Sequence, residues 1–428
     1  MAVRESRMFA SLQHRNYRIY FTGALVSNIG TWIQRVAQAW LVLELSHGSA
    51  VAVGITTALQ FLPSLLLSPV GGLLADRMDK RLLLALTQGW MACSALVLGV
   101  LAISGVARTW HVYLLALIFG IGAAVDVPTR QAFVTEVAGR ENLTNAIGLN
   151  SASFNAARLV GPGVGGLIIA GWGSGWAILT NAASYGAMLI ALLVLRPDDL
   201  DRASPVARAK GQIREGFRYV AARPDLLIAL GVGFGVGTFA LNFQLTNAVM
   251  VNTEFHLGAQ AYGWAGSVMG IGSLTGALLA ARRSRTPRLR FVVGAAMVFA
   301  VLLALLGTMP GYVPYLLVLP VVGLAGLLTM TATNMFVQTT SDPSLRGRVM
   351  ALYAMVMMGG TPFGAPLMGW MAQEFGPRAP LIGGAALQVV TIAAVILVVR
   401  LRFGSTSLVE AAPTSDEVAP HVALPPEE

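Results

Sequence analysis

Three charged residues stand deep within runs of apolar sequence, away from their ends, where a charge is costly: Arg35, Asp126 and Arg158. Near the middle of a bilayer each costs about 2.5–3.5 kcal/mol or more, so each is expected to face a cavity or a partner. Asp126 has the most chemistry to offer. A carboxylate whose surroundings change between two conformations can take up a proton in one and release it in the other. Two partners are open to it. Arg158 lies at a matching depth in the next apolar run, and Arg130 follows four residues on, the spacing of neighbours on one helix face. A structural ion pair and a proton-exchanging carboxylate are both compatible with this pattern. Arg35 shares a stripe with Asn28, Thr31 and Gln38 at spacings of three or four, which places all four on one face of a helix. The second half of the chain offers uncharged polar residues instead: Asn242, Gln244 and Asn247 in one run, and Thr331, Asn334 and Gln338 in another. Polar, uncharged walls suit bulky and partly apolar solutes.

The elements that must position these residues are long apolar helices. Hydrophobic residues make up 55% of the chain and charged residues 11%, far fewer charges than a soluble domain carries. Runs of about 20 apolar residues, long enough to cross a bilayer, fall at 19–45, 51–75, 82–107, 112–137, 146–170 and 177–195. Six more follow at 226–251, 262–281, 291–309, 313–339, 349–372 and 381–399. Of the 29 Lys and Arg, 24 lie in every second gap or flank the first and last runs and Arg130 lies near the basic end of the 112–137 run, leaving only Arg108 and Arg378 in the other gaps. Short cationic loops stay in the cytoplasm. The alternation therefore predicts twelve transmembrane helices, with both termini cytoplasmic and a multi-pass place in the cell's inner membrane.

The net charge of +9 follows from those loops, and the basic residues form no aromatic-interleaved patch of the kind that binds nucleic acid. The first 18 residues are polar and basic, unlike a cleavable leader. The single cysteine, Cys93, lies in an apolar run and is expected to be a small buried residue; one cysteine precludes a disulfide within the chain. No metal or cofactor is expected. There is no nucleotide-binding GxxxxGK[ST] loop and no HxxxH, Ser-His-Asp or paired-carboxylate cluster, so neither a primary pump nor an enzyme is expected.

The predicted division is residues 1–195 and 226–402 as two six-helix bundles, a cytoplasmic linker at 196–225, and a disordered acidic tail at 403–428. The halves repeat each other. Tyr113-Leu-Leu-Ala-Leu matches Tyr315-Leu-Leu-Val-Leu, Gly161-Pro162 matches Thr361-Pro362, and the Gly72–Arg77 segment is echoed by Gly276–Arg282. A parallel repeat of six helices is the pattern of a transporter whose path runs between its halves.

The segment Gly72-Leu73-Leu74-Ala75-Asp76-Arg77-Met78-Asp79-Lys80-Arg81 resembles motif A of the major facilitator superfamily, with Asp79 where that family usually has Gly. The resemblance implies a two-bundle fold in which Gly72, Asp76, Arg77, Lys80 and Arg81 form a cytoplasmic gate that latches the outward-open state. Glu136 and Glu141 are partners for its cations by side of membrane. Gly148, Gly161, Pro162, Gly165 and Gly166 resemble the exporter-associated motif C, with Ala157 in place of one glycine. Small residues at this spacing let helices approach closely. Motif B of the family has an Arg where this chain has Ala116, so a proton role for that Arg does not carry over; Arg158 is the expected substitute. Trp40-Leu-Val-Leu-Glu-Leu-Ser, Asp126-Val-Pro-Thr-Arg-Gln-Ala and Asn145-Ala-Ile-Gly-Leu-Asn-Ser are similar to the bacterial enterobactin and macrolide exporters.

Together these imply a monomeric secondary transporter. It would exchange protons for small amphipathic molecules, drugs or siderophores, by alternating access, with Asp126, Arg158, Arg35 and Arg130 as its intramembrane charges. An importer or facilitator of the same fold is the alternative, and a non-transporting receptor or scaffold the reading from another class.

Overall fold

The structure, a computed structural model, describes residues 7–201, 212–281 and 286–404. The acidic tail from 405, linker residues 202–211, and Arg4 and residues 282–285 of two basic clusters lie outside the described residues. Helices form wherever the apolar runs do, because a chain in lipid must satisfy its backbone polar groups internally. The first six are α1 (Arg15–Leu45), α2 (Ala50–Arg77), α3 (Lys80–Ile103), α4 (Thr109–Gly139), α5 (Glu141–Trp172) and α6 (Ser174–Val194). The second six are α7 (Pro224–Glu254), α8 (Ala259–Ala280), α9 (Leu289–Gly307), α10 (Tyr312–Thr340), α11 (Arg346–Phe375) and α12 (Ala379–Phe403).

Eleven of the twelve are long and apolar enough to cross a membrane. The exception is α1, with 31 residues. It carries Arg35 and a set of amides and hydroxyls, of which Ser27, Gln34 and Gln38 are buried against other helices. Its polarity faces protein, so the composition understates its fitness to span. Large apolar side chains such as Leu193, Leu317 and Leu401 stay exposed on outward faces, where lipid covers them.

Several boundaries differ from the apolar runs. The loop expected between spans 4 and 5 is reduced to a break at Gly139 (φ 70°, ψ 162°), a left-handed conformation that favours glycine. α7 contains two π-turns, Val236–Ala240 and Met250–Glu254, and α11 changes course at Gly360 before Pro362. Cys93 is exposed on its helix, contrary to the expected burial, because α3 turns that face away from its neighbours. A short helix, Gln212–Ala221, precedes α7 and is tied to the second six helices by the Arg348–Glu215 ion pair. The Asp342 N–H also donates to Tyr219 Oη across 3.1 Å.

The face bearing the Lys- and Arg-rich connections is called here the basic face, and its opposite the far face. Close contacts bridge the two sets of six helices between the far face and mid-depth. α2 packs on α11 at Gly54–Ala365 and Gly369–Ala50, and α5 packs on α8 through Gly166 and Gly263. The backbones pass so closely there that a Cβ on Gly166 would sit 2.9 Å from Gly263 Cα. Gly163 N–H donates to Ser267 Oγ (2.8 Å), Gln244 Nε2 donates to the Arg35 carbonyl (3.0 Å), and Trp40 stacks on Tyr262 at 6.0 Å. Leu65 with Gly359 and Leu159 with Gly270 are further bridging contacts, nearer the basic face.

Candidate functional site

Asp126 sits on α4 with both carboxylate oxygens occupied. Oδ1 accepts from Gln88 Nε2 at 2.6 Å and from Thr87 Oγ1 at 3.0 Å, both on α3. Oδ2 accepts from Arg130 Nε (3.2 Å) and Nη2 (3.1 Å), one helical turn along α4. Ser27 of α1 extends the network by donating to Gln88 Oε1 (3.4 Å). The local pair wins over the expected Asp126–Arg158 pair, and the reason is geometric. A partner at i+4 is already on the same face, whereas Arg158 must be brought in by a second helix. The pair is not fully saturated, because Arg130 Nη1 is buried without a hydrogen-bond partner.

Arg158 and Arg35 come together instead, on either helix beside Trp32. The Arg35 guanidinium carbon lies 4.6 Å from the Trp32 ring centre, and that of Arg158 lies 5.8 Å from it. Arg35 is also 5.9 Å from the Phe61 ring of α2. Among the described residues neither guanidinium forms an ion pair, and Arg35 Nε is buried with no acceptor. Gly161 explains how Trp32 fits, since any Cβ there would collide with the Trp32 Cβ. Phe154 stands edge-on to Trp32 at 5.8 Å.

The polar stripe of α1 splits among several partners. Asn28 Nδ2 donates to Ser153 Oγ of α5 (3.2 Å), and Thr31 Oγ1 lies 3.4 Å from Tyr185 Oη of α6. Gln38 Oε1 accepts from Gln34 Nε2 (3.4 Å), while Gln38 Nε2 is buried without a partner. In the second half, Asn247 Oδ1 accepts from Tyr315 Oη (2.6 Å), and Asn242 Nδ2 donates to the Thr238 carbonyl within its own helix (2.8 Å). These two amides are engaged in holding α7. Asn334 is half-buried, and Gln338 is exposed towards the basic face, away from the Trp32 site.

At the basic face, Lys80 Nζ pairs with Glu136 Oε1 at 2.7 Å, and Arg81 Nε donates to the Leu192 carbonyl at 2.6 Å. These contacts tie α3 to α4 and α6 within the first half. Asp79 departs from the family pattern for a local reason: its Oδ1 accepts from Leu82 N–H (3.0 Å) and caps α3. Asp76 and Gly72 are partly buried, Arg77 is exposed, and so is Glu141. On the same face, the Ser344 hydroxyl holds the Asp342 carboxyl below the ordinary carboxylate range, and hydrogen bonding to Asp225 raises the Arg223 guanidinium above its ordinary value.

The motif C-like residues divide. Gly161 and Gly165 receive α1, and Pro162 and Gly166 receive α8, whereas Gly148 meets nothing within 4 Å. Glu44, at the far end of α1, is exposed and accepts from Ser174 Oγ (3.1 Å).

Thr87, Gln88 and Trp32 complete the buried site and were not singled out from sequence. Gln88 had a legible signal, an amide in an apolar run; Trp32 had none, being one tryptophan among 8.

Two sets of six apolar helices packed around buried charges fit a membrane transporter, and similar proteins agree. The Multidrug efflux pump Tap of Mycolicibacterium fortuitum is 28% identical over 395 residues, covering 89% of this chain and 94% of that protein. The Enterobactin exporter EntS of Escherichia coli O1:K1 / APEC is 24% identical over 394 residues, covering 91% and 93%. The fold matches that of a bacterial homologue of the human lysosomal transporter Spinster, solved inward-facing and unoccupied (TM-score 0.68, 15% identity, 94% of this chain and 99% of that one). It also matches the nucleoside transporter NupG (TM-score 0.71, 14% identity, 90% and 99%). The chain belongs to the transmembrane secretion effector family of major facilitator transporters, whose family model matches residues 6–425.

Proposed function

We propose that this protein is a proton-coupled exporter of small amphipathic molecules, working by alternating access in the inner membrane. Its basic face, and with it both termini, would lie in the cytoplasm. The observation that carries this reading is the tight contact between the halves beside unpaired charges. The halves meet through pairs such as Gly166–Gly263, with Arg35 and Arg158 nearby and without an ion pair among the described residues. Such a contact suits a binding site between two halves that opens to one side at a time. The efflux and export named for Tap and EntS favour the outward direction.

The coupling residue in this reading is Asp126. Its carboxylate binds Arg130, Thr87 and Gln88 in the closed-outside arrangement, and protonation would release Arg130 and loosen the contact of α4 with α3. Motif A supplies the opposite gate in this reading, with Asp76 and Arg77 meeting the second half when the basic face closes. The test is transport into inside-out vesicles, with a panel of antibiotics and siderophores and a pH-sensitive dye. Accumulation that dissipates the imposed proton gradient is expected; accumulation indifferent to that gradient, or none with any compound, would remove the reading.

A further inference from the structure

We propose that the mid-depth site takes an organic anion with a flat aromatic part, held by the Arg35 and Arg158 guanidiniums and seated against Trp32. This deepens the transporter reading and rests on it. Buried charges in membrane proteins are ordinarily paired, and the one acid at this depth, Asp126, is engaged by Arg130, Thr87 and Gln88. Two guanidiniums therefore share one indole with no counter-charge among the described residues. An anion between them would relieve their mutual repulsion. A guanidinium presents a planar fork suited to carboxylate or sulfonate oxygens. Two donors on this stretch of α1 lack acceptors, Arg35 Nε and Gln38 Nε2. The aromatic requirement comes from the wall: Trp32, with Phe154 edge-on at 5.8 Å and Phe61 on the other side of Arg35, offers ring faces to a flat ligand. A cation of the same shape would add a third positive charge and be rejected.

The experiment uses the purified full chain in nanodiscs, without any gradient, and reads binding by calorimetry and by thermal unfolding. The probes are 1-naphthoate, the size-matched cation 1-naphthylmethylammonium, and chloride alone. The expected result is binding of 1-naphthoate at least tenfold tighter than the cation, weakened tenfold or more by Arg35→Gln and by Arg158→Gln. Arg158→Lys should keep part of the affinity. The Gln variants should also raise the unfolding temperature of the ligand-free protein, because each removes an unpaired charge. A purely structural arginine would lower it. Equal binding of the cation, unchanged naphthoate affinity in both Gln variants, or a lowered unfolding temperature in both would overturn the proposal. Chloride protecting as well as naphthoate would reduce the site to one for inorganic anions and overturn it too. Intact naphthoate binding by a protein that fails every energised transport assay would sink the transporter reading and leave this one standing.

Discussion

Asp126 is the residue to which the proposed proton coupling is assigned, and substitutions there separate coupling from a purely structural pair. Asp126→Asn keeps the volume and the acceptor for Gln88 but removes the charge opposite Arg130 and the exchangeable proton. Accumulation against a gradient should fall to the passive level while binding persists, as vesicle uptake and calorimetry would show. Arg130→Gln instead breaks a buried pair, and a loss of roughly 3 kcal/mol is expected in chemical unfolding. A Glu at position 126 that restored accumulation would support proton exchange over a fixed structural pair. The Asp126–Arg130 spacing was readable from sequence because both partners lie on one helix. The Thr87 and Gln88 donors were not, because α3 reaches them only through packing. The expected Arg158 partnership failed for the same reason: matching depth in two helices says nothing about which faces meet.

At the scale of elements, α5 and α8 approach closely near the far face and bridge the two halves. Gly166→Leu would drive a side chain into the Gly263 backbone, an overpacking worth about 1–3 kcal/mol. Transport should drop about tenfold, and thiol labelling of a cysteine placed at Ser49 at the far face should rise. At the basic face, Lys80→Gln removes a partly buried pair with Glu136 and should lower the unfolding temperature by a few degrees. Asp76→Asn should leave folding intact while transport falls several-fold, read in vesicles at matched expression. Most element boundaries were legible to within a turn, since runs end at charged loops on the basic face and mostly at glycine-containing gaps on the far face. The π-turns of α7 and the turn-less junction at Gly139 left no composition signal; they are set by how neighbouring helices pack.

Across the whole molecule, the charge alternation made twelve spans legible even where α1 is too polar for a hydropathy scan. The repeat also appears in the structure, in a feature the matching segments had not included. His47 after α1 and His256 after α7 both adopt left-handed backbone, φ 53° and 52°, at corresponding far-face turns. In the proposed cycle one half rocks against the other, and the far-face contact would open each time. Ser49 and Gln373 stand across that contact, with Oγ donating to Oε1 at 3.4 Å. The direct measurement is transport by a Ser49→Cys, Gln373→Cys variant on a Cys93→Ser background, before and after a short bifunctional methanethiosulfonate bridge. The bridged protein should stop transporting and recover on reduction, while each single-cysteine control stays active. Full transport by protein shown to be bridged would contradict alternating access at this face.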